Sequence, residues 1–563
     1  NKIYHGRTSA AISSGHIYGK NIISAESFTS INVVHWSGHP YYYKHHGDHM
    51  WARGINETMF HRFAHQPNNH IKPGMTMDSI GSHFDRTQTW WSNGGTEWFK
   101  YLARGSYLLQ QGVPDADFLV HVGDVAPVRG NSPAKIPAGF GYDLVNSDVL
   151  RNRISVKDGW LVLPEGTRYK ALYLPKTDHL NFSTLKRIQT LVADGATIIG
   201  NKPKSVIGYS EWANKAEFNQ IANKLWPEQS NHINSYLKGR VSNYSLEQTI
   251  DQLKLQPDLL IDEQPIKVFA KRRVAGNDLY FFHSEKPEFR QITVDIRDDG
   301  VHLNGIPEIW NITDGTIEAI EDFRRSGKRI SFDLALEPYA SRFIVIRRDN
   351  ETPEYNGKYS ELVKDIYLNA NDKLNKTEVT ELTGAWNVEF DQQWAGPGMV
   401  QFEQLEDWVN HPNAGVKHYS GTANYYKTFI VSQQQALSEQ PMYLDLGEVQ
   451  QIAEVKLNGK KLATLWKPPY ALDISSAIKV GDNTLQIDIT NTWVNRLIGD
   501  EALPDTSGYS MTGDTVPWLN ANQPPPPSER VTFTGYNFFK NDKTKVLQSA
   551  GLLGPVTLLH PVT

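Results

Sequence analysis

Two glutamates are placed where chemistry can happen. Glu26 follows the short apolar run Ile22-Ile23 by way of Ser24 and Ala25, and Glu57 lies 31 positions on, just ahead of Met59-Phe60-His61. Positioned carboxylates can take or give protons at a reacting group. Strand-like segments with acids at their margins and helical material between them are the local pattern of a (β/α) barrel enzyme. The working residues of such barrels sit at strand C-terminal ends and in the loops beyond. A glutamate taken at random is a solvated surface group, but the aromatic and histidine-rich surroundings of these two argue otherwise. His61 and His65 are four apart, which sets them on one side of either a helix or a strand. No HExxH is present, so these histidines do not read as a zinc peptidase pair.

At the scale of the whole chain, 563 residues give room for three or four domains. The net charge of −5 and the lack of any Lys/Arg run give no sign of a nucleic-acid or membrane-surface partner. There is no cysteine, which excludes disulfides, thiolate nucleophiles and Cys-based zinc sites, and leaves cytoplasm and bacterial periplasm both open. No apolar stretch is long enough to span a bilayer. The chain opens on Asn1 without a signal-peptide pattern, as a processed protein or a piece of a longer one would. With 15 Trp and 25 Tyr it is rich in the flat apolar faces that sugars pack against, though large β-sandwiches carry many Trp as well.

The elements that must hold the two acids read as follows. Residues 1–115 alternate strand and helix: a strand at 22–23, a helix over 41–56, a strand over 59–63, and an amphipathic helix over 95–111 closed by Gly112 and Pro114. Residues 116–285 change to buried strand runs such as DFLVHV at 117–122, with an amphipathic helix over 183–194 followed at once by a strand at 195–200. That is the pattern of a helix-covered parallel sheet. It holds no GxGxxG or Walker pattern, and is expected to be architectural. Residues 286–350 alternate with period two, as in a small β-sandwich. Residues 351–377 are polar and read as a linker. Residues 378–563 form regularly spaced short strands, with a hairpin turn at Asn458-Gly459, and point to a sandwich or jelly roll.

Several segments together carry a family likeness: SAESFT at 24–29, GINETMFHRFAHQP at 54–67, PGMTMDSIGSHFDRTQTWW at 73–91, LVADGATIIGNKP at 191–203, LNGKKLATLWKPPY at 457–470 and TNTWVNRLIGDEALP at 490–504. The chain resembles the α-L-rhamnosidases of glycoside hydrolase family 106 from Glu26 to its C-terminus. The resemblance implies a multidomain α/β plus all-β architecture: a catalytic (β/α)8 barrel, a flavodoxin-like domain of the amidotransferase type, and β-sandwich modules ending in a galactose-binding-like jelly roll. Residues 1–115 can supply only the last three or four barrel strands, so the resemblance is to the C-terminal portion of such an enzyme. An N-terminal remainder would hold the general acid.

The resemblance also implies inverting cleavage of α-L-rhamnosides in polysaccharide side chains, assisted by calcium, in the bacterial periplasm or outside the cell. Inversion sets an acid and a water-activating base about 6.5–9.5 Å apart. Glu57 is the candidate base. Glu26 is the candidate calcium ligand, or itself the base; Asp85 could help complete the calcium site, since calcium takes several hard oxygens. His65 and Gln66 are candidate sugar hydrogen-bonders, against a buried histidine pair. Asp85 and Arg86 line the pocket or form a structural ion pair. Trp90 or Trp91 makes an apolar floor for the sugar's methyl group, or packs under the barrel rim. Trp466, Tyr470, Trp493 and Arg496 look like loop residues of a sugar-binding sandwich, and His35, His45, His46 and His49 like surface residues. Two rivals stand beside this enzyme: a non-catalytic carbohydrate-binding protein, and a retaining β-galactosidase-like glycosidase with carboxylates about 5 Å apart.

Overall fold

The computed structural model describes residues 8–29, 34–63, 72–74, 84–125, 135–175, 178–226, 228–262, 269–298, 305–348, 353–363, 366–367, 377–505, 520–524, 526–534, 537–542 and 544–561. After a first helix, α1 (Thr8–Ile17), come β1 (Ser24–Ser27), α2 (Pro40–Arg53) and β2 (Glu57–Phe60). The strands β1 and β2 pair in parallel, with Ser24 opposite Glu57 and Ser27 opposite Phe60. Pro40 presets the first turn of α2. Gly54, at φ 118°, stops it by turning its N–H back onto the Met50 and Trp51 carbonyls. That left-handed cap is why the helix ends at Arg53, short of the expected 56, and why the strand begins at 57 and not 59.

A further helix, α3 (Thr96–Leu109), lays Trp98, Tyr101, Leu102, Gly105 and Leu109 into the core. Gly105 lets the Trp51 ring of α2 come close; a Cβ there would lie 2.3 Å from that ring. Tyr43, Trp51, Phe84, Trp90, Trp98 and Tyr101 pack with Phe281 and Phe343 and with Ile452 and Trp466. One aromatic core thus joins the β1-α2-β2 unit to both sandwiches downstream. A two-stranded sheet is marginal alone, and here this packing holds it. Among the described residues β1 and β2 pair only with each other.

Next comes a six-stranded sheet ordered 233–236, 239–242, 197–200, 171–174, 118–121, 142–145. All neighbours are parallel except the edge strand 233–236. Leaving out that edge, the strands run in the 2-1-3-4-5 order of a doubly wound sheet. The helix Phe182–Asp194 covers it with Leu185, Ile188, Leu191 and Val192 buried.

Two sheets follow. One joins 259–261, 290–297, 329–336 and 323–326; the other joins 316–319, 306–311, 341–347, 277–283, 269–274 and 113–114. Strands 259–283 therefore pair with 290–347, and the expected boundary near 285 cuts through a sheet. The stretch read as a linker is docked where described. Val363 is fully buried, Tyr359 and Ser360 donate their backbone N–H to Glu318, and the Tyr367 ring stacks on Phe289 at 4.0 Å. The last unit is a sandwich of a four-stranded sheet and a six-stranded sheet, its core built on Trp386, Trp408, Tyr425, Ile487 and Leu552.

Candidate active site

Side chains alternate across a strand. Ala25 packs with Ile12, Ile23 and Ile55, and the Phe60 ring meets Phe28, Phe84 and Trp98. Those residues mark the core side of the β1–β2 pair. Ser24, Glu26, Glu57 and Met59 consequently share the opposite side, where Glu57 is half-buried and the other three are exposed. Strand spacing and rise put the Glu26 and Glu57 α-carbons about 8 Å apart. The Ser24 hydroxyl donates to Glu57 Oε2, and Thr29 Oγ1 lies 3.5 Å from Glu26 Oε1. Glu26 is near the C-terminal end of β1, whereas Glu57 is the first residue of β2. Glu26 thus lies toward the C-terminal end of the parallel pair, and Glu57 a row nearer its N-terminal end.

The other expected site residues divide. His65 and Gln66 lie outside the described residues. Asp85 is 3% exposed; its Oδ1 accepts the Thr87 N–H at 3.1 Å, and its Oδ2 lies 3.8 Å from Arg86 Nη1. This carboxylate is engaged in its own turn and ion pair, while the Arg86 side chain is half exposed. Trp90 is 1% exposed, donates Nε1–H to the Gly38 carbonyl at 3.0 Å, and meets Phe84 and Trp98 edge-on. It belongs to the aromatic core and not to the floor of a pocket. Trp91 is half-buried and edge-on to Phe99.

Of the residues expected in sandwich loops or on the surface, Trp466, Trp493, His45 and His49 reach across to another unit, while Tyr470 and Arg496 are held within the last sandwich. Trp493 is 2% exposed and donates to the Thr87 carbonyl at 2.9 Å; Trp466 is 1% exposed and packs on Tyr101; Tyr470 donates to the Gln451 carbonyl; Arg496 pairs with Asp500. Asn93 reaches Thr422 Oγ1 at 2.9 Å, so the loop after Trp90 is tied to the last sandwich. On α2, His45 Nδ1 lies 2.9 Å from His283 Nε2, and His49 is 4% exposed beside Glu285. Beneath them Lys44 holds Asp48 at 2.6 Å, and Asp48 also accepts from Tyr101 and Ser341. A second buried node joins Glu337 to Arg342 and to Lys467. Burial alone would raise the Glu337 carboxyl, but the two cations outweigh it and hold it below the carboxylate range. Burial drives the Lys467 ammonium down to about 8, against the pull of Glu337.

One cluster near the glutamates was assigned no role from the sequence. The His61 N–H bonds the Ser27 carbonyl at 2.9 Å, which extends the β2 ladder by a residue. Among the described residues, His61 Nδ1 and Arg62 Nε are both buried without a hydrogen-bond partner, and Phe63 is 66% exposed. The signal was the alternation itself: with Phe60 in the core, His61 must face the side of Glu26 and Glu57.

Among the described residues no three His, Asp or Glu side chains gather as metal ligands. Calcium takes six to eight oxygens. Glu26 and the Thr29 hydroxyl do not make such a site, and Asp85 is committed to its own turn. The described residues therefore do not fit calcium by themselves.

Comparison with known proteins places the chain. A family model described as alpha-L-rhamnosidase, glycoside hydrolase family 106, matches residues 1–325, and a galactose-binding domain-like model of glycosyl hydrolase family 2 matches residues 406–516. A putative beta-glucuronidase of Formosa agariphila is 28% identical, over 96% of this chain and 63% of its own. The structure of a rhamnosidase from Novosphingobium sp. PP1Y superimposes with a TM-score of 0.81 and 29% identity, over 98% of this chain and 49% of its own. This chain thus spans about half the length of that enzyme. It belongs to the α-L-rhamnosidase family of glycoside hydrolases, family 106.

Proposed function

We propose that the protein carrying this chain releases L-rhamnose from α-L-rhamnosides in polysaccharide side chains, with inversion, outside the bacterial cytoplasm. The observation that carries this is the shared face of Glu26 and Glu57: two carboxylates on one side of a parallel β-pair, with the core on the other. Glu57 serves as base. The Ser24 hydroxyl donates to Glu57 Oε2 and orients the carboxylate. One oxygen remains to take a proton from water. Glu26, nearer the strand end, faces the sugar and would give one carboxylate arm to a calcium ion, which would polarise and hold sugar hydroxyls if further oxygens completed its shell. The general acid comes from elsewhere in the protein, within a parallel-strand barrel of which β1-α2-β2 is part, beside a flavodoxin-like domain.

The test is hydrolysis of an aryl α-L-rhamnoside by the full-length protein, with the anomer first released identified by NMR. Glu57→Gln is expected to lower kcat by about 10²–10⁴. Full activity in that variant with loss in Glu26→Gln would move the base to Glu26; activity in both would end the assignment. Chelation is expected to lower activity and calcium to restore it. A second reading, a carbohydrate-binding chain without turnover, draws on the galactose-binding domain-like match at residues 406–516. Saccharide binding by a protein inactive on every rhamnoside would support it. The curated relative's name suggests, in addition, that the glycan contains uronic acid.

A further inference from the structure

The end of β2 carries polar groups with no partner among the described residues. Arg62 has no described carboxylate within ion-pairing distance, and its Nε is buried without an acceptor; its main-chain carbonyl takes the Phe84 N–H at 3.0 Å, which fixes the backbone there. A guanidinium presents five donors and no acceptor, in a fork that matches carboxylate and sulfate geometry. Burying one of those donors unpaired is unfavourable unless something arrives to accept from it. On one side of Arg62, His61 keeps a buried Nδ1, likewise without a described partner, and shares the side of Glu26 and Glu57 by strand alternation. On the other, Phe63 exposes 66% of its surface.

We infer that Arg62 binds an anionic substituent of the saccharide, a carboxylate or a sulfate ester, on the sugar next to the one cleaved. His61 takes a hydroxyl of the same chain through Nδ1, and the Phe63 ring lies against an apolar sugar face. The inference rests on the site proposed above and names what that site selects. The substrate class is an acidic polysaccharide, and the anion lies one strand end beyond the carboxylates that work on the glycosidic bond.

The experiment is calorimetric binding to the full-length protein of three matched rhamnosyl disaccharides: one bearing a uronate carboxylate, one a sulfate ester, one neutral. The wild type is expected to prefer an anionic ligand, and Arg62→Gln to weaken that ligand by roughly 10- to 150-fold while moving the neutral one by no more than about twofold. Arg62→Lys keeps the charge but not the fork, and is expected to retain part of the preference. Whichever anion loses more in Arg62→Gln identifies the source, uronate or sulfate. Phe63→Ala is expected to weaken all three alike. Equal binding of charged and neutral ligands by the wild type would overturn the inference. So would an equal loss on both in Arg62→Gln, or a fall in melting temperature with affinities unchanged, which would assign the guanidinium to another part of the protein. Because binding is read and not turnover, a protein that discriminates anions but hydrolyses no rhamnoside refutes only the rhamnosidase assignment.

Discussion

Replacing Glu337 with glutamine is expected to destabilise the protein by about 3–5 kcal/mol, the usual cost of breaking a buried ion pair from one side. Glu337 is 2% exposed, its Oε2 accepts from Arg342 Nη2 at 2.7 Å, and its Oε1 lies 3.3 Å from Lys467 Nζ. Arg342 and Lys467 have side-chain exposures of 5% and 6%, so neither can turn to water once the carboxylate is gone. The substituted amide would offer a neutral oxygen to two buried cations. Lys467 belongs to the last sandwich and Glu337 to the preceding one, so the loss is expected at the junction of the two. The assay is urea unfolding followed by tryptophan fluorescence. With a slope near 3 kcal/mol per molar, the midpoint of the affected transition falls by about 1–1.7 M. Lys467→Met removes one uncompensated cation, so the double variant is expected to be more stable than the sum of the single losses by about 2 kcal/mol. A single-variant loss under about 1 kcal/mol, or additivity within about 0.5 kcal/mol, would refute the reasoning.

Three further outcomes are expected. Gly105→Ala puts a methyl into the Trp51 ring and should cost about 1–3 kcal/mol, seen as a lower melting temperature. Trp493→Phe removes the indole N–H that the Thr87 carbonyl accepts and should cost about 1–3 kcal/mol by the same measurement. The Lys467 ammonium sits near 8 when folded against 10.5 in the open chain. The unfolded state then holds this proton more tightly, so stability should climb between about pH 8 and 10.5 in the wild type and climb less in Lys467→Met; parallel curves would remove the effect.

Local periodicity carried the reading of α2, α3 and the helix Phe182–Asp194, each within three residues at either end. What it could not carry is which partner a segment meets. The run Asn277–His283 is a buried strand in either domain, and only its pairing with Ser341–Arg347 assigns it to the sandwich. The stretch 353–363 is polar along its length, yet Val363 and the backbone bonds to Glu318 anchor it. The same limit governs the site. Glu26 and Glu57 were visible as strand-margin acids, and the register of β1 with β2 puts them on one side. His45, His49, Trp466 and Trp493 resemble surface or loop residues in sequence because their partners lie up to 406 positions away. Trp90 and Trp91 are adjacent in the chain, but only the fold separates the one sealed in the core from the one at its edge.

The bond from Trp493 to the Thr87 backbone, with Asn93 reaching Thr422 a few residues on, ties the segment flanking the glutamate unit to a module at the other end of the chain. A β-sandwich fused to a glycosidase is often treated as an interchangeable cassette. Here it acts as a brace. Grafting a foreign sandwich onto this position would leave an indole-shaped vacancy under the neighbouring loop and take away the N–H that the Thr87 carbonyl accepts. Recombination in this lineage is therefore expected to move the two parts together.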